Sequence, residues 1–164
     1  MHVIKNIALM SVLVSGLANA EKLQVNLSGS FYAPAGHSIG LGEDKSAFVY
    51  SVYGASNLTI SLKTAAEQKL RVSVECLGFD ELGNKEGTQG VGRCVWIDES
   101  NDKLFASIST KGETNQYKIT GGTGKWKDST GTLNTHFVYL PTSSNKFYLG
   151  TDDGKGTISA PNYK

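Results

Sequence analysis

Two cysteines and three histidines are all that 164 residues contain of the usual soft metal ligands. A structural zinc site needs four ligands. With His2, His37 and His136 scattered and no cysteine cluster, no metal centre and no cofactor are expected. An excess of charge is missing too: 16 basic residues stand against 15 acidic ones, and discounting Lys5 the part of the chain beyond residue 20 is formally neutral. Nothing electrostatic therefore recommends nucleic acid or an anionic membrane as a partner. Helical patterning is scarce as well. Thr64–Lys69 (TAAEQK) is the one short helical stretch, and it carries no apolar stripe.

What is present begins with a targeting segment over residues 1–20. Lys5 supplies positive charge, Ile7–Leu17 a short apolar core, and Ala18-Asn19-Ala20 the small-x-small end that signal peptidase needs, so cleavage after Ala20 is expected. The apolar run is short for a membrane span and no second one follows. A free periplasmic or secreted protein is expected, with no membrane association once the leader is removed. Residues 21–164 then form one domain large enough to bury a core. In an oxidising compartment Cys76 and Cys94 are expected to bond to each other.

The rest reads as strands. Leu23, Val25, Leu27, Gly29 and Phe31 alternate with polar residues, the period of a strand with one wet face. Ala47–Tyr53 and Leu58–Leu62 read as a hairpin about Gly54–Asn57. Leu70–Leu77 and Val91–Ile97 place one cysteine each on strands flanking a glycine-rich loop, and Leu104–Ile108, Gln116–Ile119, Leu133–Leu140, Phe147–Gly150 and Thr157–Ala160 follow. Short strands with turn signals and no amphipathic helix make the class all-β. A closed antiparallel barrel of about eight strands is preferred, because closure removes sticky edges. A β-sandwich is the alternative, weakened by the absence of a tryptophan between Cys76 and Cys94.

The stretch Ile119–Thr132, ITGGTGKWKDSTGT, organises the chain. Gly121, Gly122 and Gly124 suit positive φ or close backbone approach. Trp126 sets one large ring in a small, polar run, and Gly131 reopens a strand. A phosphate loop is a poor fit, since two residues rather than four separate Gly121 from Gly124-Lys125, and Trp126 follows the lysine. A dinucleotide fingerprint fails because Lys127 stands where its third glycine belongs.

This motif, with the upstream run GVGRCVWIDESNDK that holds Cys94, Trp96, Asp98 and Asp102, resembles the allene oxide cyclase barrel-like and dirigent-like proteins, in particular small exported bacterial members. The likeness covers Cys76–Tyr139. It implies an eight-stranded antiparallel barrel with an apolar interior, which the relatives use to hold a reactive fatty-acid epoxide or phenolic radicals without a cofactor. Gly121, Gly122, Gly124, Trp126 and Gly131 carry over as architectural residues. No catalytic residue can be matched. Trp126 stands where a smaller aromatic is usual in the family, and Asp128-Ser129-Thr130 where small apolar residues are common.

Other polar constellations read more simply as structure. Asp98, Ser100 and Asp102 have the oxygen spacing of a calcium loop, but Lys103 and Ser109 occupy the positions of its glycine and closing glutamate, so a solvated turn is expected. Asp152-Asp153-Gly154 reads as a hairpin turn. Glu75, Arg93 and His136 lie in strand patterns whose inward face period two does not identify. Glu75 is expected exposed beside Arg71, and His136 as a surface or satisfied residue, with Glu75 the first ionisable group to test for an inward position. Tyr50, Tyr53, Trp96, Phe105, Phe137 and Tyr139 are expected in the core. Two functions compete: a non-enzymatic barrel that binds an apolar or aromatic small molecule or serves as a rigid domain, and a cofactor-free isomerase or cyclase.

Overall fold

The computed structural model describes residues 21–62, 66–83 and 87–163, so the leader expected over residues 1–20 lies outside it. Nine strands follow in chain order: β1 (Glu21–Pro34), β2 (Ser38–Gly42), β3 (Lys45–Ser61), β4 (Gln68–Leu82), β5 (Gln89–Asp98), β6 (Lys103–Lys111), β7 (Thr114–Gly122), β8 (Thr130–Leu140) and β9 (Phe147–Ala160). They form one antiparallel sheet, β1-β9-β8-β7-β6-β5-β4-β3-β2, and β1 also pairs with β3. That pairing closes an eight-stranded barrel and leaves β2 outside it, on the length of β3 that extends past β1. The expected closed barrel is the fold, and the sandwich is not.

Alternation decides the interior. Leu23, Val25 and Leu27 on β1, Leu58 and Ile60 on β3, Val72, Val74 and Cys76 on β4, and Leu104, Ala106 and Ile108 on β6 are all buried. Cys76 and Cys94 stand opposite each other on β4 and β5 and form a disulfide, with Cα atoms 4.1 Å apart, inside the wall. Closing a loop with a sequence separation of 18 stabilises the fold by about 3 kcal/mol in the chain-entropy model. A disulfide of this kind suggests an oxidising compartment.

Three expectations about elements need correction. The hairpin about Gly54–Asn57 is instead the middle of the continuous strand β3, which pairs with β4 from Ser46 to Ile60 and with β1 from Tyr53 to Ser61. Small residues serve there to let β1 approach: a Cβ on Gly54 would meet the carbonyl oxygen of Ser30. The turn at Asp152–Gly154 is likewise mid-strand, because β9 is hydrogen-bonded to β1 and β8 on its two sides throughout that stretch. Of the helical stretch Thr64–Lys69, Gln68 and Lys69 open β4, Ala66 and Glu67 lie in a loop, and the remaining two residues are outside the described part.

One end of the barrel is sealed by the glycine corner. Thr120 is a bulge between β6 and β7, Gly121 follows at φ +143°, and Gly124–Trp126 form a single 3-10 turn that drops Trp126 over the core, 1% exposed. The ring of Tyr163, just past β9, packs 5.1 Å from that of Trp126, and its hydroxyl donates to Gln68 Oε1 at 2.7 Å. Strand, glycine corner, aromatic plug and strand succeed one another as the sequence suggested.

Candidate functional site

The lock on the sealed end is the hairpin tip between β5 and β6. Asp98 is buried, and its Oδ1 accepts the backbone N–H groups of Ser100 (2.8 Å) and Asp102 (3.1 Å). Its Oδ2 accepts the Trp126 indole N–H at 2.9 Å and pairs with Lys125 Nζ at 2.8 Å. Burial alone would raise this carboxyl, but the hydrogen bonds from Lys125, Trp126, Ser100 and Asp102 outweigh it and hold the group below the ordinary range. The turn is solvated at Glu99, Ser100 and Asn101 as expected, while Asp98 at its start is a buried anchor that takes the Lys125 ammonium as its cation. Asp102 Oδ2 accepts the backbone N–H of Lys125 at 3.2 Å, with its carboxylate against Gly124. Gly124 has φ +52°, and a side chain there would collide with Asp102.

Among the described residues nothing closes the opposite end. Between the disulfide level and the rim lies a cavity of about 380 Å³, lined by Val74, Cys76, Trp96, Ile108, Phe137 and, towards the mouth, Phe31, Phe48, Tyr139 and Tyr148. That volume lies within the range of small-molecule sites. Glycines make room for the rings. Tyr50 on β3 crosses Gly78 and reaches Gly92 on β5, and the end of the Phe31 ring lies over Gly150. Edge-on contacts of Tyr139 with Phe31 and Phe137, at centroid distances of 5.9 Å and 5.5 Å, and a tilted contact with Tyr148 at 5.7 Å join the four rings into a collar.

Two carboxylates face this cavity, and neither is Glu75. Asp80 continues the inward phase of β4 after Val72, Val74, Cys76 and Gly78, and is 8% exposed. Its Oδ1 has no hydrogen-bond partner among the described residues. Burial pushes its carboxyl up to about 6. The same carboxylate raises the nearby Tyr50 and Tyr139 hydroxyls, though burial acts more strongly on both. Asp152 on β9 accepts the Tyr117 hydroxyl on Oδ2 at 2.9 Å, with the Thr135 and Asn115 side chains beside it. Burial raises this carboxyl as well, against the opposing pull of Thr135, Tyr117 and Asn115. Tyr117 is held well above its ordinary value, by burial first and by Asp152 second. Thr110 Oγ1 donates to Asn115 Oδ1 at 2.8 Å, and the Trp96 ring meets Tyr117 edge-on at 5.2 Å. A polar line thus crosses an apolar barrel interior.

The ionisable residues singled out from sequence lie elsewhere. Glu75 and Arg93 are exposed on the outer wall, with Arg93 Nη1 donating to the Gly92 carbonyl at 3.0 Å. Arg71, on the same outer face as Glu75, lies 3.9 Å from Glu99. His136 is exposed, with Nε2 3.6 Å from Glu113 Oε2. Tyr50, Trp96 and Phe137 are buried as expected, whereas Tyr53, Phe105 and Tyr139 are 50%, 38% and 53% exposed. For Tyr53 the reason is phase: Phe48, Tyr50 and Val52 take the inward positions of β3. Asp80 was legible in principle, because the alternation from Val72 runs on through Gly78. Asp152 was hidden by the turn chemistry of its own neighbours, Asp153 and Gly154.

No protein-family model and no curated protein matches the chain. Among solved structures it is similar to the pterocarpan synthase dirigent protein GePTS1, at 14% sequence identity over 85% of this chain and 86% of that one, with a TM-score of 0.44.

Proposed function

We propose that this barrel binds a small, largely apolar or aromatic molecule, taken through the open rim and held above the disulfide. The observation that carries the reading is the cavity of about 380 Å³, walled by aromatic rings, in a barrel whose other end Trp126 closes. A rigid structural domain has no need of such a space, since interiors otherwise pack to crystal-like density. The expected export to the periplasm or outside the cell belongs to this reading, as does the disulfide.

A second reading, cofactor-free isomerisation or cyclisation inside the barrel, is favoured by one feature. Asp80, at about 6, can exchange a proton near neutral pH, and an enclosed site would supply the positioning.

The test is to incubate the protein with a panel of lipids and phenolics and recover retained or converted species by mass spectrometry. Trp96 lines the cavity and Trp126 does not, so emission from Trp96 reports occupancy. Retained ligand that shifts the emission in the unmodified chain and not in Trp96→Phe supports binding. Converted ligand supports the enzymatic reading, and a panel that leaves both retention and emission unchanged overturns the proposal.

A further inference from the structure

The cavity is unbalanced in charge and in hydrogen bonding. Among the described residues its lining contains Asp80 and Asp152 and no lysine, arginine or histidine. Asp80 Oδ1 has no hydrogen-bond partner among the described residues, whereas Asp152 has Tyr117, Thr135 and Asn115 around it. A buried acceptor left unmade is costly, and an unpaired buried carboxylate more so. The surroundings of Asp80 are aromatic: Phe48 stands opposite it in the β3–β4 ladder, and Tyr50 and Tyr139 are near enough to respond to its charge. Carboxylate and ring faces together suit a cation that has shed its water.

We infer that the cavity takes a protonated primary amine carried on an aromatic body, with the ammonium against the Asp80 carboxylate and the ring within the tyrosine and phenylalanine collar. The inference rests on the barrel being a small-molecule binder and adds the charge and donor chemistry of the ligand. An ammonium group supplies up to three donors, which satisfies the free oxygen of Asp80 and neutralises the site, whereas an alcohol supplies one and an anion is repelled by both aspartates.

Three probes of one shape separate these cases: tryptamine, its neutral alcohol analogue tryptophol, and the anion indole-3-acetate, titrated by calorimetry. The expected order is tryptamine, then tryptophol, then indole-3-acetate, with the amine bound at least about tenfold more tightly than the alcohol. In Asp80→Asn the amine and the alcohol should bind alike. Equal binding of amine and alcohol by the unmodified chain, or tightest binding of the acid, overturns the amine inference and leaves the binding barrel standing. An amine preference that survives Asp80→Asn overturns the assignment to Asp80. Binding of none of the three also overturns the inference, and the lipid and phenolic panel then decides the broader reading by itself.

Discussion

Asp80 and Gly90 stand opposite each other in the β4–β5 ladder, and the carboxylate of Asp80 occupies the space where a side chain on residue 90 would begin. The inward acid therefore lies along the barrel wall, and the glycine makes that possible. Replacing Gly90 by Ala should drive the carboxylate toward the rim, where water reaches it. Its pKa should fall from about 6 toward the ordinary carboxylate value. A carboxyl-carbon NMR titration of the variant checks this, and an unmoved midpoint would contradict it.

The elevated Asp80 also sets a pH dependence of stability. A carboxyl whose folded pKa lies above its unfolded one binds the proton more tightly when folded, so its effect on stability falls as pH rises from about 3.8 to about 6. Below that window the penalty is absent, and above it the penalty is complete. Asp80→Asn, which mimics the protonated form, should therefore raise the melting temperature at neutral pH and leave it nearly unchanged near pH 4. Equal effects at both pH values in a thermal melt would refute this account.

Asp98 behaves in the opposite sense. Its folded pKa is depressed, so its stabilisation is present above the unfolded value and lost as pH falls through the folded one. Asp98→Asn breaks the pairing of a buried carboxylate with the half-buried Lys125 and weakens the anchor of Trp126. A loss of about 3 kcal/mol is expected at neutral pH and little at low pH, measured by denaturant unfolding. A variant as stable as the parent at neutral pH would mean that the hairpin tip does not hold the sealed end.

At the corner, Gly124→Val meets both a left-handed backbone and the Asp102 carboxylate. A loss of about 1 to 3 kcal/mol is expected. Gly122→Val should cost a similar amount, since a Cβ there would press on the Lys103 carbonyl and the Trp126 side chain. Ligand binding at the far end should persist in either variant while it remains folded. Thermal melts that match the parent would remove the architectural role of these glycines.

Much of this protein is written locally. Alternation in Leu23–Leu27, Val72–Cys76 and Leu104–Ile108 specifies strands and their buried faces without reference to anything distant, because side chains alternate with period two wherever a strand forms. The scarcity of helix patterning, the pair of cysteines and the glycine corner likewise led from sequence to a closed barrel with a bonded Cys76–Cys94 pair and a plugging Trp126. The candidate site was decided by tertiary structure. Asp152 has the neighbours of a turn residue, and only pairing of β9 with both β1 and β8 keeps it in a strand and turns it inward to meet Tyr117 from β7. Asp98 has the neighbours of a solvated turn, and it is buried because the Gly124–Trp126 turn, remote in sequence, folds onto it. Local chemistry governs the conformations a segment can adopt. Which face of it meets water depends on the strands that close around it, and a polar side chain becomes a site only when that closure takes its solvent away.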